Sequence, residues 1–548
     1  MICVSYFCII DISKNKSIQY NISHRSVLCN KKDNTNAMLF LFFSKRDILF
    51  YMNNNSFSFP KDFKGIKVHF VGIKGTGCTA LVEILASQGA IITGSDVRER
   101  FYTDEILEKY GLHALDFSED NITDDVRFVV YSSAYSKDKN PDLIAAVKKG
   151  VPCLLYSEAL GKVSEMAYSA GVCGVHGKTT TTGLCGTILK GLHLNAQVLA
   201  GSVIKSFGDS CVMTNLNANN TLSVFVAETC EYQRHFMAFC PKKIILTSVE
   251  SDHQDYYPTY EDIRNAFVDY CLKLPEGEDL IYCADDAGAC EVAGIVGAKR
   301  PDIKKIPYGT TAAGDYRITI GGVEDGTQLF SVGNFGEFAL CVPGVHNIRN
   351  AAAAIALSIA LLKEDGQSIE DNLDAIKTSL RLFAGGKRRS EITGRATTER
   401  GDSVIFIDDY GHHPTAVKTT LEGYRAFYPN RRIIVDFMSH TYTRTAALLE
   451  EFAACFSSAD CVVINKIYGS ARENEAAANV TGETLAEHAA KYHANVHYKG
   501  EFDEAAAFIL GEISKKSPLS DGYVVVTMGA GDNWKVGKKV LEMLGAKE

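Results

Sequence analysis

Proline is scarce, 12 in 548 residues, and the 45 glycines follow no Gly-X-Y period, which excludes collagen-like and wholly disordered chains. Basic residues are not in excess. The 57 Lys and Arg stand against 66 Asp and Glu, a net charge of −9, so the clustered cations that grip a nucleic-acid backbone are missing. No two of the 16 cysteines form a C-x-x-C pair, which removes zinc-ribbon and thioredoxin patterns and leaves reduced thiols in a cytosol as the simplest state. No stretch reaches the roughly 18 apolar residues that span a bilayer. The apolar run Met1 to Ile10 also lacks a basic leader and a small-residue cleavage site. These absences describe a cytoplasmic protein with neither nucleic acid nor membrane as partner.

What is present is ample core material. Hydrophobic residues make up 46% of the chain and charged residues 22%, and the length predicts about three to five domains. Residues 1–64 show no clear period and read as a poorly ordered extension, with a membrane or partner tether as the rival. From Lys67 onward, short β-branched runs alternate with amphipathic stretches, the pattern of parallel α/β units. Strands are expected at Ile66 to Val71, Arg127 to Tyr131, Ser223 to Ala227, Lys243 to Val249, Val404 to Ile407, Arg432 to Phe437, Cys461 to Asn465 and Tyr523 to Thr527. A helix is expected at Ala80 to Gln88. Each series has its own core-forming runs, which places domains at 65–165, 166–386 and 387–548. The Gly385-Gly386 pair suits a hinge.

Two glycine-rich turns carry the chemistry. Gly72-Ile73-Lys74-Gly75-Thr76-Gly77 joins a strand to a helix, where backbone N–H groups face a diphosphate well. Asp96 stands where a ribose-binding acid would, and Ser132 and Ser133 follow the next strand. The spacing is G-x-x-G-x-G rather than G-x-G-x-x-G, and a tight turn without ligand is the plain alternative. Gly174-Val175-His176-Gly177-Lys178-Thr179-Thr180 is more informative: curled amides surround phosphate oxygens, Lys178 supplies a point charge, and the Thr179 hydroxyl suits magnesium. Two apolar strands of the same domain end in Glu228 and in Glu250 followed by Asp252-His253, which suits a metal role beside Thr179, with ordinary surface or core polar residues as the plain alternative; the one or two Mg2+ ions held by Thr179, Glu228 and His253 are what the resemblance given next implies.

These residues resemble the Mur ligases, ATP-dependent enzymes that build the peptide of bacterial peptidoglycan. Gly174 to Thr182 is similar to the family's G-T-H-G-K-T-T-T-T loop, with Val175 in place of Thr. Glu228 and Asp252-His253-Gln254-Asp255-Tyr256-Tyr257 match its magnesium Glu and D-H-x-D-x-Y signatures. Val342 to Ala352 is similar to P-G-x-H-N-x-x-N-A-A, and Phe383 to Arg389 to the segment that brings an Arg to the phosphates. Ile407 to Thr415 and Ser439 to Thr445 are most like the member that adds L-alanine to UDP-N-acetylmuramate. Val268 falls where several other members carry a carbamylated lysine. Departures are Lys74 for Gly, Ser439 for Pro, and Glu228-Thr229-Cys230-Glu231-Tyr232 where E-A-D-E-S is usual.

The resemblance implies an α/β fold of three domains: an N-terminal Rossmann-like UDP-binding domain, a central P-loop ATPase-type domain and a C-terminal Rossmann-like domain. It also implies roles. Lys178, Glu228, His253, Arg388 and Asp409 are the catalytic candidates. ATP meets Gly174 to Thr180, His346, Asn347, Asn350, Arg388 and Asp409. The UDP-sugar meets Gly72, Gly75, Thr76, Gly77, Asp96, Ser132 and Ser133, and the amino acid meets Tyr410, His412 and Arg444. Rivals are a ligase recycling a murein tripeptide, a folylpolyglutamate-type ligase, a silent nucleotide-binding regulator, and a nicotinamide oxidoreductase built on the first turn. Monomer and homodimer stay open.

Overall fold

The computed structural model describes residues 57–216, 222–254, 256–324, 326–469 and 480–545, with four short strands upstream of them. Those strands pair antiparallel, Tyr6–Ile9 with Phe40–Phe43 and Tyr20–Ile22 with Arg25–Val27. The remainder of the extension up to residue 56 lies outside the described residues, as does Asp255. Residues 57–64 do not belong to that extension. Phe57 and Phe59 set their rings on Phe128 at 5.5 and 5.4 Å, and Phe63 is buried, so this aromatic cluster joins the first core.

Apolar runs covered on both faces make parallel strands. The first sheet holds β1 (Lys67–Val71), β2 (Ile91–Ser95), β3 (Val126–Tyr131) and β4 (Cys153–Leu155), parallel throughout in the order β2-β1-β3-β4. Helix α1 (Thr76–Ser87) starts earlier than its apolar period suggests, because its first turn is made of small polar residues.

The central sheet comprises β5 (Tyr168–Cys173), β6 (Ala196–Ile204), β7 (Ser210–Asn215), β8 (Val224–Glu228), β9 (Lys243–Leu246), β10 (Asp279–Cys283) and β11 (Lys304–Tyr308). Their order is β7-β6-β8-β5-β9-β10-β11. Only the β6–β7 pair is antiparallel. Helix α2 (Lys178–Gly191) follows β5. A three-stranded antiparallel sheet at 318–340 has no counterpart in the sequence expectation. Helix α3 (Val345–Glu364) is long and apolar enough to cross a bilayer, yet 83% of its apolar window is buried within protein, which makes it a core helix.

The last sheet comprises β12 (Glu391–Thr397), β13 (Ser403–Asp409), β14 (Arg432–Met438), β15 (Cys461–Ile464), β16 (Val496–Tyr498) and β17 (Tyr523–Gly529), in the order β12-β13-β17-β14-β15-β16. Its two faces bury separate apolar clusters, whereas one cluster runs through both preceding sheets and a further one covers the other face of the first. The first and central units thus share a core, and the C-terminal unit stands apart. Gly385 adopts φ 81° between them, and the segment is tied to the end of β6 by Lys387 N–H donating to Val203 O at 2.8 Å.

Candidate active site

Strand order builds the site. Strands β8, β5 and β9 lie side by side, with Glu228 opposite Val172 and Leu246 opposite Cys173, so three carboxyl ends open at one point. From β5 the chain curls through Gly174 at φ 134° and Gly177 at φ 80°, conformations that favour glycine. Lys178 then begins α2. One cleft collects Val175 to Thr180, Glu228, Thr247, Ser248, Glu250, His346, Asn347, Asn350, Arg389, Asp409, His412 and His413.

Lys178 Nζ lies 3.0 Å from Glu231, a buried carboxylate. Burial opposes the ammonium, but the Glu231 charge outweighs it and holds Lys178 above its ordinary value; the same pairing holds Glu231 below its own despite burial. His253, in a left-handed conformation at φ 52°, brings Nε2 to 3.6 Å from Glu231. Glu231 thereby links Lys178 to His253. Glu228 accepts from Gly201 N–H at 2.7 Å and faces the cleft beside the buried Thr179.

Two other predicted side chains have different tasks. Arg388 is absent from the cleft lining: its Nε donates to Asp408 at 2.8 Å and its Nη2 to Gly529 O at 2.7 Å. Arg389, the next residue, reaches the cleft instead, stacked on Tyr410 with its guanidinium 5.0 Å from the ring centroid. Asp96 closes its own turn, accepting from Lys74 N–H and Val97 N–H at 2.8 Å and from the Tyr135 hydroxyl at 2.9 Å. Both oxygens are already engaged, so it does not stand free for a ribose. Gly72, at φ 83°, sits beneath Tyr135, where a Cβ would meet the ring, and Gly77 likewise beneath Tyr156. Thr76 shares a 2.6 Å hydrogen bond with Tyr102. Ser132 accepts from Ala134 N–H at 3.3 Å, and Ser133 is exposed beside it.

Asn347 and Asn350 lie in the first turns of α3, where Asn347 donates to Pro343 O at 2.7 Å and Asn350 to Asn347 at 3.3 Å. Burial pushes His346 down to about 4, so it faces the cleft as a neutral imidazole. Asp409, at the end of β13, accepts from Ser390 N–H and Gly411 N–H at 2.7 and 2.8 Å. Burial holds His412 far below its ordinary value, with Nδ1 donating to Tyr410 O at 3.0 Å. Arg444 is buried and reaches across to Asp252 at 2.7 Å. Burial would raise the Asp252 carboxyl, but Arg444 and His253 hold it well below the carboxylate range.

In sequence Glu250 reads as a strand-end ligand, whereas nothing gives a role to Glu231, Arg389 or His413. Each lies within three residues of a motif residue, and only the folded chain shows which neighbour turns inward.

Residues 67–168 match the Mur ligase family catalytic domain, 172–358 the Mur ligase middle domain, and 388–531 the Mur ligase glutamate ligase domain. The chain belongs to the Mur ligase family. It is 47% identical over 482 residues to the UDP-N-acetylmuramate--L-alanine ligase of Treponema pallidum, covering 87% of this chain and 97% of that one. The ligase of the same name from Borreliella burgdorferi is 36% identical over 85% and 97%. Among solved structures, the UDP-N-acetylmuramate-alanine ligase of Thermotoga maritima superposes with TM-score 0.67 at 23% identity, over 88% of this chain and 99% of that one. A murein peptide ligase from Psychrobacter arcticus shares the Mur ligase fold, with TM-score 0.56 at 20% identity over 88% of this chain and all of that one.

Proposed function

We propose that this chain joins L-alanine to the carboxylate of UDP-N-acetylmuramate in the cytoplasm, using ATP and forming ADP and phosphate. Carboxylate oxygen is a poor leaving group. ATP first phosphorylates the muramate carboxylate to an acyl phosphate, and the alanine amine then attacks that carbon and releases phosphate. The observation that carries this reading is the meeting of the phosphate loop, Glu228 and the C-terminal Asp409 and His412 around one cleft in a chain 47% identical to an alanine-adding ligase.

Gly174 to Gly177 cradle the polyphosphate, and Lys178 leaves Glu231 to meet the transferred phosphoryl group. Asn347, Asn350 and Asp409 hold the nucleoside. Arg389 takes the phosphate-facing role first given to Arg388. Thr179 and Glu228 offer the hydroxyl and carboxylate oxygens that fit Mg2+, which when bound would supply charge neutralisation at the phosphates, whereas the His253 imidazole suits that ion less well and reaches Glu231. Arg444 exchanges Asp252 for the alanine carboxylate, and Tyr410 and His412 line that pocket. The turn from Gly72 to Gly77, with Ser132 and Ser133, receives the UDP diphosphate. Such an enzyme works by positioning and charge stabilisation.

Product formation with L-alanine, glycine, L-serine and the murein tripeptide, followed by mass spectrometry, tests the reading. L-alanine is expected to dominate; tripeptide as the preferred amine would overturn it.

A further inference from the structure

Glu250 and the two histidines around it line the same cleft, and their side chains take no step in the proposed ligation, although His176 lies in the loop that cradles the polyphosphate. His176 comes from the phosphate loop, Glu250 from the segment after β9, and His413 from the C-terminal unit, just before helix α4 (Pro414–Phe427). One donor atom from each lies within 4.8 Å of the others. His176 Nε2 contacts Glu250 Oε1, and His413 Nδ1 is 3.6 Å from that same oxygen. The imidazole rings are 5.2 Å apart.

The hydrogen-bond inventory leaves these groups unmatched. Among the described residues, both buried ring nitrogens of His413 have no hydrogen-bond partner, and the buried His176 Nε2 and Glu250 Oε1 have no partner beyond their contact with each other, a cost that buried polar groups normally avoid. Glu250 is oriented by its other oxygen, which accepts from the Thr415 hydroxyl at 3.2 Å and leaves Oε1 turned toward the imidazoles.

We propose that His176, Glu250 and His413 form a transition-metal site of the zinc class, closed across the interface between the central and C-terminal units. Two imidazoles and one carboxylate are donors that zinc and cobalt favour, whereas magnesium prefers an all-oxygen shell. Tetrahedral ligation at about 2.0–2.2 Å places donors roughly 3.3 Å apart, close to the His413–Glu250 separation. All three side chains line the cleft. The Glu250 carboxylate supplies the anionic donor, and each neutral imidazole offers one unprotonated ring nitrogen. Because His413 arrives from the separate unit, the ion fastens the two units together. This site is distinct in donors from the Thr179, Glu228 and His253 set, and it stands whether or not the chain ligates alanine.

The test is titration of the metal-free full-length protein with Co2+ under excess Mg2+, followed by visible absorption. The expected result is one equivalent of intense, four-coordinate cobalt absorption, displaced by Zn2+ and lost in Glu250→Gln and in His413→Asn. Absence of the band, or its persistence in both variants, overturns the proposal. Anomalous scattering from zinc-soaked crystals of the unaltered protein provides a readout independent of variant folding. A peak between the three side chains supports the site, and zinc only at Glu228 or elsewhere contradicts it.

Discussion

Adjacent residues of one basic run do opposite jobs. Arg388 is bound to Asp408 and to the Gly529 carbonyl, whereas Arg389 faces the cleft. Breaking a largely buried ion pair by removing one partner strands the other charge, at about 3 kcal/mol. Arg388→Ala should therefore lower the unfolding midpoint in urea. Arg389→Ala should leave that midpoint within error and reduce turnover by about 100-fold, as expected for one lost charge-stabilising group. Equal stability losses in the two variants would contradict the assignment. The run identified the chemistry in sequence, but alternation at a hinge with Arg388 at φ 57° is visible only in the folded backbone.

Asp436 gives a pH prediction of its own. Burial raises its carboxyl to about 7 although Asn465 and Asn533 donate to it. The folded state then binds a proton that the unfolded state, near 3.9, has released. The stabilisation is complete below about 4 and is lost as pH rises through 7. Asp436→Asn should remove this fall, so that the variant loses less stability than the parent between pH 6 and 8, by about 1.4 kcal/mol. Chemical denaturation at the two pH values measures it.

At the scale of elements, the phosphate loop depends on backbone geometry more than on side chains. Gly177 combines φ 80° with a neighbour, Asn350 Oδ1, only 2.6 Å from where a Cβ would stand. Gly177→Ala should cost roughly 1–3 kcal/mol of stability and raise the KM for ATP, read by calorimetric melting and initial rates. Unchanged values would show that the curl tolerates a side chain. The β-branched runs made every expected strand legible, from Lys67–Val71 to Tyr523–Gly529, because buried parallel strands must be continuously apolar. The sheet at 318–340 was not legible: its first strand is largely exposed and carries Gly321 and Gly322, so no apolar run announces it.

Across the whole molecule, the first two units share a core and the third has cores of its own, and we propose that the glycine pair at 385–386 is the hinge between them. Contacts between Arg444 and Asp252 and between Thr415 and Glu250 already bridge the cleft. Solution scattering should show a smaller radius of gyration when a nonhydrolysable ATP analogue and UDP-N-acetylmuramate are both present. No compaction would contradict a hinge at that pair. The three-unit order was legible because each phosphate-facing turn follows its strand directly. The continuity of the first two cores was not, since nothing local in the chain marks packing between units.

The central claim is that the polyphosphate of ATP lies in the loop before Lys178 and is activated there. Its most direct measurement is phosphate release by Lys178→Ala in the presence of ATP, UDP-N-acetylmuramate and L-alanine, with circular dichroism matched to the parent protein. The account predicts a folded variant whose release falls to background. Sustained release by that folded variant would place the reaction elsewhere.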